Sequence, residues 1–367
     1  MEIEVTQEKL SKALNAVSRV AVGSKSTLPV LNNVLIRVDG KKVSLTTTNL
    51  DMAVIDYLPV SNSKDGVVTV PAKLLAEFVS NLPKGEKIKI SAKDTKVTIL
   101  AGKYSSTMNG TLADDFPELP EIDEKKAVIF KMGINEFKTS VNQVIIASSN
   151  DLTRPALTGV FFNTSNKELA VAATDGYRLA EKIMVEKVDS EVAAIVPTNS
   201  LQEVMRSISD DMEEIEISFN EDLVRFRLGE VEIISKMIDG SFPDYRKLIP
   251  DNNDITVTLS KSELMRVTKL AALFAREVGG SIICETRDTG SFLVRSVANE
   301  FGENDSEIET EVNINGKVTL NSRFLIDALN SLEEDSIIFS FSSKVAPVLL
   351  KNAKSKKYTH IVMPLNS

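Results

Sequence analysis

Histidine and cysteine, the side chains most often recruited for acid–base and nucleophilic work, occur once each in this chain, as His360 and Cys284. Any Cys–His pair or Ser–His–Asp set must therefore be built on that single imidazole. His360 falls in the predicted last strand and reads as a structural residue. VGSKST at 22–27 offers the lysine and serine of a phosphate-binding loop, yet it lacks the leading glycine and the Gly-Lys-Ser order that wrap a phosphate. Carboxylates number 52, but runs such as DDF and NSLEED read as solvated turns, and no ligand spacing suits a metal. No catalytic set, cofactor or metal is expected. One enzymatic alternative stays open, a carboxylate-based hydrolase in which Asp175 of ATDGYRL does the proton transfer.

The elements that would position any site come in threes. IEVTQEKLSKALNAVSRV at 3–20 predicts a short strand, a cap at Thr6 and an amphipathic helix with Leu10, Leu14 and Val17 on one face. VIFKMGINEFKTSVNQVIIA at 128–147 repeats that shape with Phe137, Val141 and Val144. ITVTLSKSELMRVTKLAALFA at 255–275 repeats it again with Leu264, Thr268 and Ala271. Leu10, Phe137 and Leu264 stand 127 and 127 residues apart. A second strand and helix follow in each copy, VVTVPAKLLAEFVSNL, AAIVPTNSLQEVMRSI and GKVTLNSRFLIDALNSL, in which Val70, Val196 and Leu320 are 126 and 124 apart. Pro71 and Pro197 sit at helix entrances, where a missing N–H costs nothing.

Alternating strand patterns lie between the helices (VLIRV, VSLTTTN; VFFNT, LAVAATD; IICET, FLVRSV) and after them (KIKISA, KVTILA; EIEISF, LVRFRL; SIIFSF, APVLLK). Each copy predicts β-α-β-β-β-α-β-β with room for one more short strand. That is an α+β domain of ~120 residues with two helices on antiparallel sheet. Boundaries placed in the polar stretches EIDEKK and PDNND give domains 1–125, 126–253 and 254–367.

Hydrophobic content of 43% and charged content of 26% are those of a soluble globular chain. The first ten residues carry Glu2, Glu4 and Glu8 with no apolar run, so no secretory signal is expected, and no stretch approaches the ~18 apolar residues of a membrane span. A lone cysteine fits a reducing cytoplasm. The net charge of −9 opposes nucleic-acid binding unless basic groups are segregated from acidic ones. They are: the six predicted helices together carry +4, leaving −13 for everything else. Lysines and arginines also solvate any amphipathic helix, so charge alone leaves both explanations standing.

Six strings carry a resemblance along nearly the whole chain: STLPVLNNVLI (26–36), TVPAKLLAEFV (69–79), RPALTGVFF (154–162), ATDGYRLA (173–180), DGSFPDYRKLIP (239–250) and HIVMPL (360–365). In combination they resemble the bacterial DNA sliding clamps, the beta subunits of DNA polymerase III. The resemblance implies three tandem clamp domains per chain, and two chains joined head to tail as a homodimeric ring. It implies helices lining a hole that passes double-stranded DNA, and no catalysis. Implied partners are the replicative DNA polymerase, the clamp loader, and other polymerases and repair proteins that dock through a short apolar peptide. A DNA-independent protein scaffold is the remaining alternative.

A sliding contact forbids base-edge readout and leaves phosphate-directed cations. The helices supply Lys9, Lys12, Lys73, Lys138, Arg206, Arg266, Lys269 and Arg323, and the resemblance adds Lys25, Asn150 and Arg154. It also implies a docking cleft. The second domain would give Leu157, Thr174, Gly176, Tyr177, Arg178 and Leu179. The third would give Asn321, Phe324, Val345, Pro347, Ile361, Val362, Met363, Pro364 and Leu365, with Pro243, Lys247 and Leu248 at the junction. This is an apolar groove with Arg178 and Asn321 as polar handles. Tyr177 stands where the family often has histidine, and Asn366–Ser367 where it often has arginine and leucine. The ring-closing contact would pair first-domain strand edges with the third domain, using Tyr104, Met108, Leu273 and Phe274.

Overall fold

The computed structural model describes residues 1–22, 28–60, 62–250, 252–300, 302–312 and 314–365. Six helices stand among the described residues: α1 (Gln7–Val22), α2 (Ala72–Ser80), α3 (Ile134–Ile145), α4 (Thr198–Ser207), α5 (Lys261–Phe274) and α6 (Ser322–Ser331). Their order and spacing are those of the threefold repeat. All nine residues on the predicted faces of the first helices are fully buried, from Leu10, Leu14 and Val17 to Leu264, Thr268 and Ala271. Each buried Leu, Val or Phe among them contributes roughly 1.5–3 kcal/mol relative to exposure, so this spacing dictates which face meets the sheet. Local signals fix the starts. Ser260 accepts a hydrogen bond from the Glu263 amide at 3.3 Å, a Ser-x-x-Glu cap on α5, and Asn321 accepts one from Arg323 at 2.9 Å to open α6.

Among the described residues the strands number eight in each of the second and third repeats, and nine in the first, which adds the short Asn62–Lys64. The sequence pattern predicts seven at most. It misses a third hairpin strand before each second helix (Met52–Pro59, Arg178–Glu186, Gly302–Glu309), while a last strand such as Tyr104–Asn109 takes the place of the one more short strand it leaves room for. Gly302–Glu309 reads GENDSEIE and Tyr104–Asn109 reads YSSTMN, mostly exposed polar runs with no apolar alternation to announce them. Backbone pairing to a neighbour makes them strands.

The four sheets among the described residues are all antiparallel, and the way they are shared explains how the chain divides. It forms two compact units, one of Met1–Ile134 with Asn199–Met237, the other of Asn135–Thr198 with Ile238 onward. In the first unit an eight-stranded sheet joins the first and second repeats, with Met52–Pro59 pairing Val231–Lys236 (Asp56 opposite Val231). In the second unit another eight-stranded sheet joins the second and third repeats, with Arg178–Glu186 pairing Tyr358–Val362 (Ala180 opposite His360). The second repeat is thus split between the two sheets, and the compact units cut across the sequence repeats. Two smaller sheets remain. The first unit's ends on Tyr104–Asn109, and the second unit's ends on Gly302–Glu309.

Candidate functional site

The second unit holds the densest set of predicted site residues. Its core is the turn between Glu168–Thr174 and Arg178–Glu186. Gly176 sits there at φ +90°, a conformation open to glycine without cost. Asp175 closes the turn by accepting the amides of Tyr177 and Arg178, each at 2.9 Å, and the Arg178 Nε at 3.0 Å. The Thr174 hydroxyl donates to the Arg178 carbonyl at 2.6 Å. The carboxylate on which the hydrolase alternative depends is therefore occupied as a turn-former. The nearly buried Arg178 guanidinium also pairs with Asp327 of α6 at 2.6 Å and lies over the Phe324 ring, 4.6 Å from its centroid. Tyr177, 65% exposed, stacks on the outer side of Phe324 at 6.5 Å. A cavity of about 350 Å³ opens here, and its lining brings Tyr177, Arg178 and Phe324 together with Asn150, Arg154 and Arg323.

An apolar floor continues from this turn. Leu179 and Ile361 are buried in one cluster with Ala172, Tyr245 and Leu349, against which Phe161, Phe242, Ile249 and Met363 pack. Phe242 stacks on Phe161 at 4.8 Å and meets Tyr245 edge-on at 5.9 Å. The Tyr245 hydroxyl donates to Glu181 at 2.6 Å, and burial raises its pKa, which keeps it a neutral donor. Pro243, Lys247 and Leu248 lie on the same segment with their side chains outward, Leu248 at 51% exposed. Met363 and Leu365 are tied by their amides to the carbonyls of Tyr177 and Thr319, both at 2.8 Å, so the chain beyond the last strand runs across the turn. Pro364 lies between them, half-buried, and Val362 is buried opposite Arg178. Leu157 and Thr174 are buried beneath, whereas Val345 stands 65% exposed on the loop before Pro347. Asn321 is spent on its helix cap and on the Gly279 carbonyl at 3.2 Å.

His360 is a core residue. Its Nδ1 is 2.7 Å from the Tyr358 hydroxyl, which itself lies 3.1 Å from the Gln143 carbonyl. The carbonyl can only accept, so the phenol donates to it and the imidazole donates Nδ1–H to the phenol oxygen. Nε2 is then an unprotonated nitrogen without a partner. Burial first, and the Arg178 charge second, depress the imidazole to a pKa of about 3. Cys284 is likewise fully buried, with burial pushing its thiol up to about 12.

The helix cations occupy solvent-facing positions. Lys9 and Lys12 on α1, Lys73 on α2, Lys138 on α3, Arg206 on α4, Arg266 and Lys269 on α5 and Arg323 on α6 are all exposed. Among the described residues, Lys9, Lys138, Arg154, Arg266, Lys269 and Arg323 hold no ion-pair partner, whereas Arg206 leans on the buried Glu203 at 3.8 Å. Lys25 lies outside the described residues. Of the edge residues, Tyr104 and Leu273 are exposed and Phe274 half-buried, but Met108 is 5% exposed and faces its own core.

A threefold α+β repeat with sheets shared between repeats is one architecture, and the comparisons agree on which. Models of the N-terminal, central and C-terminal domains of the DNA polymerase III beta subunit match residues 1–120, 131–244 and 246–366. The chain belongs to that family. It is 27% identical to the beta sliding clamp of Staphylococcus aureus, with both chains covered completely. Among solved structures it resembles the DNA polymerase III subunit beta of Pseudomonas aeruginosa (TM-score 0.94, 27% identity) and the sliding clamp of Bartonella birtlesii bound to griselimycin (TM-score 0.92, 28% identity), again over the full length of both chains. It is thus a beta-subunit chain with the three-domain clamp fold and the sliding-clamp function. No described helix is long and apolar enough to cross a membrane.

The residues that organise the turn around Arg178 are only partly legible in the sequence. Of the two carboxylates that hold Arg178, Asp175 stands inside ATDGYRLA, whereas Asp327 carries no motif of its own. Phe242 and Tyr245 did have a signal, an i, i+3 aromatic pair inside FPDY.

Proposed function

We propose that this chain closes into a homodimeric ring around duplex DNA and, without catalysis of its own, holds polymerases and other DNA-processing proteins there. The observation that carries closure is the repeated sheet junction. Twice within the chain, the third hairpin strand of one repeat pairs with the last strand of the next: Met52–Pro59 with Val231–Lys236, then Arg178–Glu186 with Tyr358–Val362. Continuing that rule, Gly302–Glu309 of one copy pairs with Tyr104–Asn109 of a second. Both are sheet edges here. Glu303, Asp305, Glu307 and Glu309 make the first edge repel itself, so it selects the uncharged YSSTMN edge. Tyr104 then meets the partner chain directly, beside Leu273 and Phe274, while Met108 supports it from inside.

The domains in this scheme are 1–125, 126–253 and 254–367. The exposed, unpaired cations of the helices face DNA phosphates, and Asn150, Arg154 and Arg323 meet DNA at the cavity beside Tyr177. The floor of Leu179, Ile361 and Met363 and the Tyr177–Phe324 stack receive the apolar anchors of a short partner peptide. Arg178 shapes that site while its charge stays on Asp175 and Asp327. Partners are the replicative polymerase, the clamp loader and other polymerases and repair proteins, in the cytoplasm. The test is to load the protein onto circular plasmid with a clamp loader and then linearise the DNA. A closed ring slides off the cut ends; retention after linearisation would replace encirclement by surface binding.

A further inference from the structure

A second cavity, of about 640 Å³, lies wholly within the first unit, between α1 and the junction of Met52–Pro59 with Val231–Lys236. Its acidic lining is Asp56, Asp211, Glu213, Glu214 and Glu230, against Lys9 and Lys12, so the lining carries a net −3. Leu58, Pro59, Met212 and Val231 add apolar wall between the carboxylates. Asp56 is the unusual member. It is 93% buried (7% exposed), it lines the cavity, and among the described residues neither a hydrogen bond nor an ion pair reaches its carboxylate. A buried carboxylate without a partner is costly and is ordinarily neutralised by a protein cation or a ligand. Lys12, one of the two lysines lining the cavity, is instead 3.6 Å from Asp211 and 3.5 Å from the Ser209 hydroxyl.

We propose that this cavity binds an aliphatic di- or polyamine, one ammonium on Asp56 and the next on the Asp211, Glu213 and Glu230 rim, with the methylene stem along Leu58, Met212 and Val231. The net −3 excludes an anion. Among the described residues no three acidic, histidine or cysteine side chains converge as metal ligands, which disfavours a compact divalent ion. Carboxylates spread along an apolar wall match spaced charges on a hydrocarbon chain.

The probes are putrescine and spermidine, titrated calorimetrically into the full chain at pH 7.5, with Mg²⁺ alone as the competing cation. Saturable one-to-one binding is expected, weakened at least about tenfold by Asp56→Asn and by Glu230→Gln. Twice that charge removed elsewhere in the unit, in Glu118→Gln/Glu121→Gln, leaves it unchanged. Circular dichroism confirms that each variant is folded, and Glu230→Gln carries the test if Asp56→Asn is not. Equal weakening by all variants means diffuse attraction to an acidic surface and overturns the proposal, as does tight Mg²⁺ binding lost in Asp56→Asn. Binding of N-acetyl-lysine amide in place of the free amines would assign the cavity to a protein side chain and overturn it too.

Discussion

Asp56 also makes a quantitative demand on stability. Burial, opposed by Lys12 and reinforced by Glu230, raises its carboxyl from 3.8 to about 6. A raised carboxyl pKa means the folded chain holds its proton more tightly than the unfolded one. The two states are equally protonated below pH 3.8, so the group is neutral to stability there. Between 3.8 and 6 the unfolded chain releases its proton first, and stability falls as pH rises. Above 6 the penalty is complete, about 2 pKa units or ~3 kcal/mol. Asp56→Asn keeps the shape and removes the charge. It should gain ~3 kcal/mol at pH 7.5 and only about 1 kcal/mol at pH 4.5. Urea unfolding followed by circular dichroism measures the difference between the two proteins at each pH, which cancels every other titrating group. Hydrogen exchange across Met52–Pro59 localises it, since protection there should rise in the variant. A variant that is less stable at pH 7.5, or whose advantage is the same at both pH values, would refute a desolvated, unpaired carboxylate.

Four further outcomes test the remaining geometry. Arg178→Ala strips the partner from two largely buried carboxylates and should cost about 3–5 kcal/mol in urea unfolding, with Arg178→Lys recovering little because its point charge cannot span Asp175 and Asp327. Tyr104→Glu/Ser106→Glu places acid opposite the acidic Gly302–Glu309 edge and should shift the protein to monomer in light scattering; adding Asp305→Lys/Glu307→Lys should restore the dimer. Deleting 363–367 removes the segment tied to the Tyr177 and Thr319 carbonyls, so binding of an apolar partner peptide should fall beyond detection in fluorescence anisotropy while the dimer persists. His360, neutral in the fold with a pKa of about 3 against 6.5 unfolded, loses stability as pH falls below 6.5. At pH 5 that is about 2 kcal/mol, and His360→Gln should abolish this part of the acid sensitivity in pH-dependent unfolding.

The parts of the fold that announce themselves in sequence are those whose burial is periodic. Leu10, Phe137 and Leu264 are legible because a helix on a sheet must bury one face every 3.6 residues. GENDSEIE is illegible because an exposed sheet edge buries almost nothing: only Ile308 among its eight residues is buried. Sites follow the same division. Leu179 and Ile361 are hydrophobic and patterned, so their burial could be anticipated. The Arg178–Asp327 pair joins residues 149 positions apart, a distance that no local pattern encodes. Asp56 sits in MAVIDYLP between residues that are correctly hydrophobic, and sequence gives no reason to expect its carboxylate to lie buried and unpaired rather than at the surface.

The acidic character of the chain is part of how it can work with DNA. A chain at −9 leaves several of its helix cations free of internal pairing: Lys9, Lys138, Arg266, Lys269 and Arg323, five in all, have no ion-pair partner among the described residues, while in the sheets Glu124 and Glu216 are engaged by Arg225 and Arg227. Unpaired cations are what a sequence-blind contact needs, since each displaces counterions from a phosphate and none commits to a base. The excess acid outside the helices repels duplex from the rest of the surface. Direct affinity for linear DNA should therefore be weak and fall steeply with salt. If filter binding instead gave tight, salt-insensitive retention, contacts other than these cations would have to hold the duplex, and free sliding would be lost with them.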